Sequence, residues 1–402
     1  MTETRLRVYD DTKALFHLPE GVIYLDGNSL GALPSGVAER VDHVIRAEWG
    51  NELIRAWNTA GWYVQPRRVG DRVARLIGAE AGSVMMGDTL SLKVYQALAA
   101  ALDLNPGRKV VLSDTGNFPT DLYMAEGLIA TLGRGHRLQL AAPEDVEAQL
   151  TDEIAVLYVT EVDYRTGRRH DMAKLTAKAH ALGIVTVWDL AHSAGALPVE
   201  LASVGADFAA GCTYKYLNAG PGAPAFLYVA PRHADRARAA LSGWMGHAKP
   251  FAFDLGYQPA DGVERMRVGT PPVLAMAALE ASLDIWDRVD LGEVRARSLA
   301  LGDLLIAEVE RHCPSLKLVT PRVHEQRGSQ VSFAFEGGYA AMQALIARGV
   351  IGDFRAPDIM RFGITPLYIG EGEVLKAAEI IDEVINGEVW RRPEYQVVNA
   401  VT

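Results

Sequence analysis

With 402 residues, 49% hydrophobic and 22% charged, the chain has the make-up of a globular protein long enough for a large core and two domains. A net charge of −10, a sequence pI of about 5.5 and the lack of any basic block argue against nucleic acid and against an anionic membrane surface as partners. The opening residues hold no unbroken apolar h-region and no apolar run is long enough for a membrane span, which points to the cytoplasm, while Cys212 and Cys313 are too few for a disulfide framework and lack zinc-ligand spacing, so no metal is expected.

Residues 1 to about 50 read as a lead-in. It has a short strand over 22–25, the turn-rich run DGNSLGALPSG and a helix from 37 towards 49. Within it GNSLG fits G-x-S-x-G, the nucleophile-elbow pattern of serine hydrolases. An elbow needs its helix to begin directly after the serine, and Pro34 and Gly36 interrupt here. Asn28 and Ser29 therefore suit a polar turn lining a substrate pocket better than a nucleophile.

From about residue 70, helical stretches alternate with short apolar strands over 83–86, 109–113, 138–142, 154–160, 185–190, 208–212 and 223–229. Such alternation predicts an α/β fold with a mainly parallel, seven-stranded, doubly wound sheet. A proline-started helix from Pro271 leads out of this large domain. Beyond it, helices over 294–312, 339–348 and 371–385 and strands over 317–319 and 330–335 predict a smaller α+β domain. The expected division is 50–275 for the large domain, and 1–49 with 276–402 for the small one.

Asp189 ends one buried apolar run and Lys215 lies just past the next. Parallel pairing would bring both to the carboxyl edge of the sheet, where ligands of open α/β sheets gather. A lysine amine can hold an aldehyde cofactor as a Schiff base, and a carboxylate facing a pyridine nitrogen keeps that nitrogen protonated. The pair therefore points to pyridoxal 5'-phosphate, against the blander reading of Lys215 as a solvated surface residue.

Other residues group around that pair. The stretch 88–91 follows a strand and opens a helix, so its free amides and the Ser91 hydroxyl could take a phosphate, or simply cap the helix. In NFPTD, Phe118 could stack on a ring and Pro119 could start a helix. His192 could reach a cofactor or pack in the core, and Tyr214 could donate a proton or sit as an amphipathic edge residue. Arg355 and Arg361 could each grip a carboxylate through two parallel bonds, with a surface ion pair as the alternative.

The ordered motifs YLDGNSLG, WNTAGW, NFPTD, TEVDYRTGRRHDM, WDLAHSAGA, GCTYKYLNAGPG, SGWMGH, RVGTPP and IMRFGITPLY resemble bacterial kynureninases, fold-type-I pyridoxal phosphate enzymes, over nearly the whole chain. The resemblance implies a homodimer that hydrolyses L-kynurenine to anthranilate and L-alanine in tryptophan breakdown. It makes Lys215 the Schiff-base lysine, Asp189 the partner of the pyridine nitrogen, and Leu90 and Ser91 the phosphate contacts. Phe118 would stack on the ring, and Asp121, Thr160 and His192 would complete the shell with Pro119 and Thr120 of the same motif. Tyr214 would move a proton near the phosphate, and Trp244 and Thr270 would come from the partner subunit. Arg361 would bind the substrate α-carboxylate, with Asn28 and Ser29 on the substrate side. A cysteine desulfurase shares the fold but needs a mobile reactive cysteine, and neither Cys212 before the lysine nor Cys313 at a helix end suits. A non-catalytic regulator would carry an added binding segment, and none is visible.

Overall fold

The fold comes from a computed structural model and is described for residues 5–397. Seven strands build the main sheet: β1 (Val84–Met86), β2 (Val110–Asp114), β3 (Arg137–Ala141), β4 (Ile154–Thr160), β5 (Val185–Asp189), β6 (Phe208–Gly211) and β7 (Phe226–Val229). Their order is β1-β7-β6-β5-β4-β2-β3. Only β7 runs against its neighbours, pairing antiparallel with β1 and β6. The mainly parallel, seven-stranded α/β sheet expected from the sequence is thus present.

Every residue of β4 is buried, because helices cover both faces of the sheet and a strand so placed has no polar side to show. Alternate residues divide between two cores. Val156, Tyr158 and Val187 pack with Leu98 and Ala101 of helix α1 (Leu90–Leu104). Leu157, Val159 and Trp188 pack on the other face, in the cluster that takes in Leu279 and Trp286 of the helix Val273–Trp286.

One acid fixes the register of β5 and β6 at their amino ends. Asp207 Oδ2 accepts from the Thr186 amide at 2.8 Å and hydroxyl at 3.0 Å, and from His180 at 2.8 Å. Its Oδ1 accepts from Arg232 and His233. The opposite ends of the same two strands carry the site.

The second sheet is antiparallel: β8 (Lys317–Leu318), β9 (Gln330–Ala334), β10 (Asp353–Arg355) and β11 (Ile359–Gly363), in the order β8-β9-β11-β10. The helices Leu291–His312 and Glu371–Asn386 contribute Leu305, Val309, Val374 and Ile381 to the core beside it. The lead-in joins both sheets. Ile23–Tyr24 pairs parallel with Val350–Ile351, Asp26 bridges to Gly363, and the Gly31 amide donates to the Tyr214 carbonyl at 2.8 Å.

Some elements differ from expectation. The helix expected over 37–49 is α-helical only over Gly36–His43 and continues as a π-helix over Val44–Glu52. The strand expected from 223 begins at Phe226, since Pro224 has no amide to give a ladder and Gly220 and Gly222 take positive φ. The helix Gln65–Leu76 and the strand Asp353–Arg355 had no counterpart in the expectation. No helix among the described residues is long and apolar enough to cross a membrane.

Candidate active site

Parallel register brings the functional groups together. Thr160 ends β4 opposite Asp189, and Asp189 ends β5 opposite Ala210 of β6. Past β6 the chain turns at once: Thr213 donates its hydroxyl to the Pro224 carbonyl at 2.6 Å, and Asn218, at φ 58°, donates its amide to the Lys215 carbonyl at 2.9 Å. The turn projects Lys215 back over the strand ends into a cavity of about 250 Å³.

Lys215 Nζ lies 2.9 Å from His192 Nε2, and 6.0 and 5.8 Å from the ring centres of Phe118 and Tyr214. Burial first, and then the Lys215 charge, hold the imidazole of His192 well below its usual pKa. A neutral ring accepts from Nζ at Nε2, which leaves Nδ1 to carry the hydrogen, and that buried atom has no partner in hydrogen-bond geometry among the described residues. The phenol of Tyr214 is pushed up by burial, so it stays protonated and is able to donate.

Two buried carboxyls form the floor. Asp189 accepts the Ala191 amide at 2.8 Å, and burial pushes its pKa up against the pull of Lys215. Asp121 lies close enough that burial and the Asp189 charge drive it well above the carboxylate range against the pull of the Tyr158 hydroxyl, and its Oδ2 has no partner in hydrogen-bond geometry among the described residues. Two such acids in an apolar floor need a proton or a cationic group between them.

One wall is a helix start. Leu90 and Ser91 open α1 after Thr89, whose side chain makes no cap, so the first amides remain free. Fully buried Lys93 holds this end in place through Asp88 and Gln96, each at 3.0 Å. Thr120 and Thr160 line the same cavity.

A second polar group adjoins the cavity on the side of Tyr164 and His192. Arg361, 1% exposed, pairs with Asp353 through Nε at 2.5 Å and again through Nη2, and donates from Nη1 to the Tyr164 carbonyl. Arg355 Nη2 reaches Asp353 Oδ2 at 2.8 Å, and Ser29 bonds to Asp353 and both arginines. Tyr164 joins the two regions, since its ring lines the cavity edge-on to Phe118 at 5.1 Å.

The remaining expected residues fall elsewhere. Pro119 is the first residue of the helix Pro119–Leu132 and does not line the cavity. Asn28 is buried against Gly363 with its amide unpartnered. Trp244, 41% exposed against Phe251, and the exposed Thr270 lie away from the cavity of their own chain. Sequence reasoning missed Tyr164 and Asp353. The first lay inside a quoted motif, and the second shows only through its register opposite Arg361.

Similarity to known proteins agrees with this chemistry. Residues 294–381 match the family described as Kynureninase C-terminal domain. A kynureninase from Burkholderia pseudomallei (strain 1106a) is 52% identical over 394 residues, 96% of this chain and 95% of its own. The chain belongs to the kynureninase family. A second kynureninase, from Pseudomonas fluorescens, is 50% identical over the same shares. Among solved structures, an apo cysteine desulfurase from Thermococcus onnurineus NA1 superposes with a TM-score of 0.80 at 20% identity, over 96% of this chain and all of its own. A C-DES variant carrying glycine covalently linked to its PLP cofactor gives 0.75 at 17%, over 90% of this chain and 97% of its own. At such identity these two show the fold alone, that of fold-type-I pyridoxal phosphate enzymes.

Membership of the kynureninase family makes the chain a hydrolase that uses pyridoxal 5'-phosphate. The cavity fits that group on its own terms. The unpartnered Asp121 Oδ2 beside Asp189 suits a protonated ring nitrogen, and the free amides at Leu90 and Ser91 suit a phosphate. Phe118 offers a ring face beside the lysine.

Proposed function

We propose that this cavity hydrolyses L-kynurenine to anthranilate and L-alanine, a step of tryptophan catabolism, with Lys215 at its centre. The observation that carries the assignment is the convergence of Lys215, His192 and the paired Asp189 and Asp121 in one buried space, in a chain of this family. When bound, pyridoxal 5'-phosphate supplies an aldehyde for the substrate amine and a ring that accepts an electron pair.

The side chains have separable tasks. Lys215 Nζ would hold the cofactor's aldehyde between turnovers and, once freed by the substrate amine, would take the proton from the substrate α-carbon. Asp189, with Asp121 beside it, keeps a proton on the ring nitrogen. Leu90 and Ser91 would hold the phosphate through the α1 start, Phe118 would cover the ring face, and Thr120, Thr160 and His192 would complete the cofactor shell, with Pro119 only starting the helix that carries Thr120 and Asp121. Tyr214, protonated because it is buried, delivers the proton that completes alanine at Cβ. Arg361 binds the substrate α-carboxylate, with Asn28 and Ser29 on the same side.

We read 50–275 as a large cofactor-binding unit and 1–49 with 276–402 as a smaller one. The working form is a homodimer in which Trp244 and Thr270 reach the partner's cavity. Their exposure away from their own site supports this, as does the apolar groove of Trp49, Trp62, Pro271 and Leu274 next to Thr270. Light scattering should then give twice the 43.6 kDa chain mass. The place of work is the cytoplasm, with no nucleic-acid partner, in keeping with the net charge of −10. Incubation with kynurenine and the cofactor, followed by anthranilate fluorescence, tests the whole reading. Absence of anthranilate from a cofactor-loaded preparation would overturn it.

A further inference from the structure

We propose that Asp26 and Asp353 form a carboxyl pair sharing one proton, and that Asp26 acts through Asp353 as a positioning residue setting how tightly Arg361 takes a substrate carboxylate. This rests on the assignment of Arg361 to the α-carboxylate.

The geometry is that of a charge already balanced. Asp353, 2% exposed, stands opposite Arg361 in the β10–β11 register and collects Arg361, Arg355 and the Ser29 hydroxyl. Asp26 lies across the lead-in bridge to Gly363, two residues along β11 from Arg361. Its Oδ1 is shielded from solvent and has no donor among the described residues, and its carboxyl lies against Asp353 and Ser29. A buried carboxylate oxygen without a donor is costly, whereas a proton held between two acids removes the cost.

The groups facing Asp26 are Asp353, Arg361 and Arg355, with the phenols of Tyr24, Tyr216 and Tyr368. Burial pushes all three phenols up, so they carry no charge. With Asp26 protonated, two guanidiniums face the one charge of Asp353, and a single positive charge remains for an incoming carboxylate. With Asp26 ionised the group is neutral. Burial, then Asp353, push Asp26 up to about 8, so the proton is present at neutral pH and leaves in mild alkali. Linkage then requires that carboxylate binding above that pH draw a proton in.

The probe is 4-(2-aminophenyl)-4-oxobutanoate, which keeps the carboxylate and aryl ketone of kynurenine but lacks the titrating amine. Its inhibition constant is measured on cofactor-loaded enzyme from pH 6.5 to 9.5. Wild type should weaken about tenfold across the range, the equivalent of one unit of coupling, while Asp26→Asn should show no such slope. In weakly buffered solution at pH 8.5, probe binding to wild type should take up about half a proton, as one unit of coupling about a value near 8 requires, and to Asp26→Asn none. An unchanged slope in Asp26→Asn, or no uptake by wild type, overturns the proposal. The uptake measurement needs no variant and decides the matter even if Asp26→Asn fails to fold. Arg361→Lys separates the underlying assignment: if it binds the probe at pH 6.5 as wild type does, Arg361 is not the carboxylate contact and the proposal falls with it.

Discussion

Asp121 with Asp189 at the end of the large sheet, and Asp26 with Asp353 beside the small one, are built on a common plan. In each pair one carboxyl faces a cation, Lys215 or Arg361, and the other keeps a buried oxygen without a donor. The fates of the facing acids differ. Asp189 stays pushed up because burial outweighs Lys215. At Asp353 burial also pushes up, but the two bonds from Arg361 and the charge of Arg355 bring the group below the ordinary range. The first pair thus suits a cationic ring, whereas in the second the facing acid is already paired within its own chain. Asp207 marks the other extreme, with donors on both oxygens and no opening to a ligand.

Removing the cation of the first pair should have the largest effect. Lys215→Ala should lower kynurenine turnover at least about 1000-fold, read as anthranilate fluorescence, and abolish the imine absorbance of the loaded protein. Anthranilate at the wild-type rate from this variant would break the comparison at its base. Within the floor, Asp189→Asn should reduce kcat about 100-fold and Asp121→Asn about tenfold, since Lys215 is the foremost charge acting on Asp189, whereas on Asp121 the Asp189 charge comes before it. Equal losses would mean that the two acids share the ring nitrogen evenly.

In the second pair, Asp353→Asn should raise KM about tenfold at nearly constant kcat, because it loosens Arg361 without touching the reacting atoms. A matching fall in kcat would place Asp353 in the chemistry instead. The smallest effect on turnover per folded molecule belongs to Asp207→Ala. It should cost about 3 kcal/mol in chemical denaturation, because it strands His180, His233 and Arg232 around a missing charge. Burial pushes Asp207 up, but the bonds from His180, His233 and Thr186 outweigh it and hold the carboxyl below its usual 3.8. Its stabilisation is therefore present at neutral pH and is lost as acid approaches the folded-state value, so the wild type should lose more stability on acidification than the variant.

The large sheet and its ligands were legible in the sequence for a physical reason. Strands buried on both faces read as unbroken apolar runs, so their ends could be placed, and with them Asp189 and Lys215. Ser91 followed because it opens a helix soon after a strand, whereas Thr160 and Phe118 were named for the site by likeness. Asp353 and Asp26 were not legible, since a three-residue strand and an isolated bridge leave almost no periodic trace. The π-helix at Val44–Glu52 was equally hidden, because its pattern differs from an α-helix by one hydrogen-bond step. Trp244 and Thr270 were named by likeness alone, and one chain shows no more than their exposure.

The lead-in lies across both sheets, its Gly31 amide on the Tyr214 carbonyl and its Asp26 beside Gly363. On the ribosome this ribbon is made before β1, yet its resting place on β11 is made only after the whole of the large sheet. The polar group around Arg361 can therefore close only after the large sheet has been made, and a nascent fragment ending before β10 would carry the lysine turn while lacking both Asp353 and Arg361.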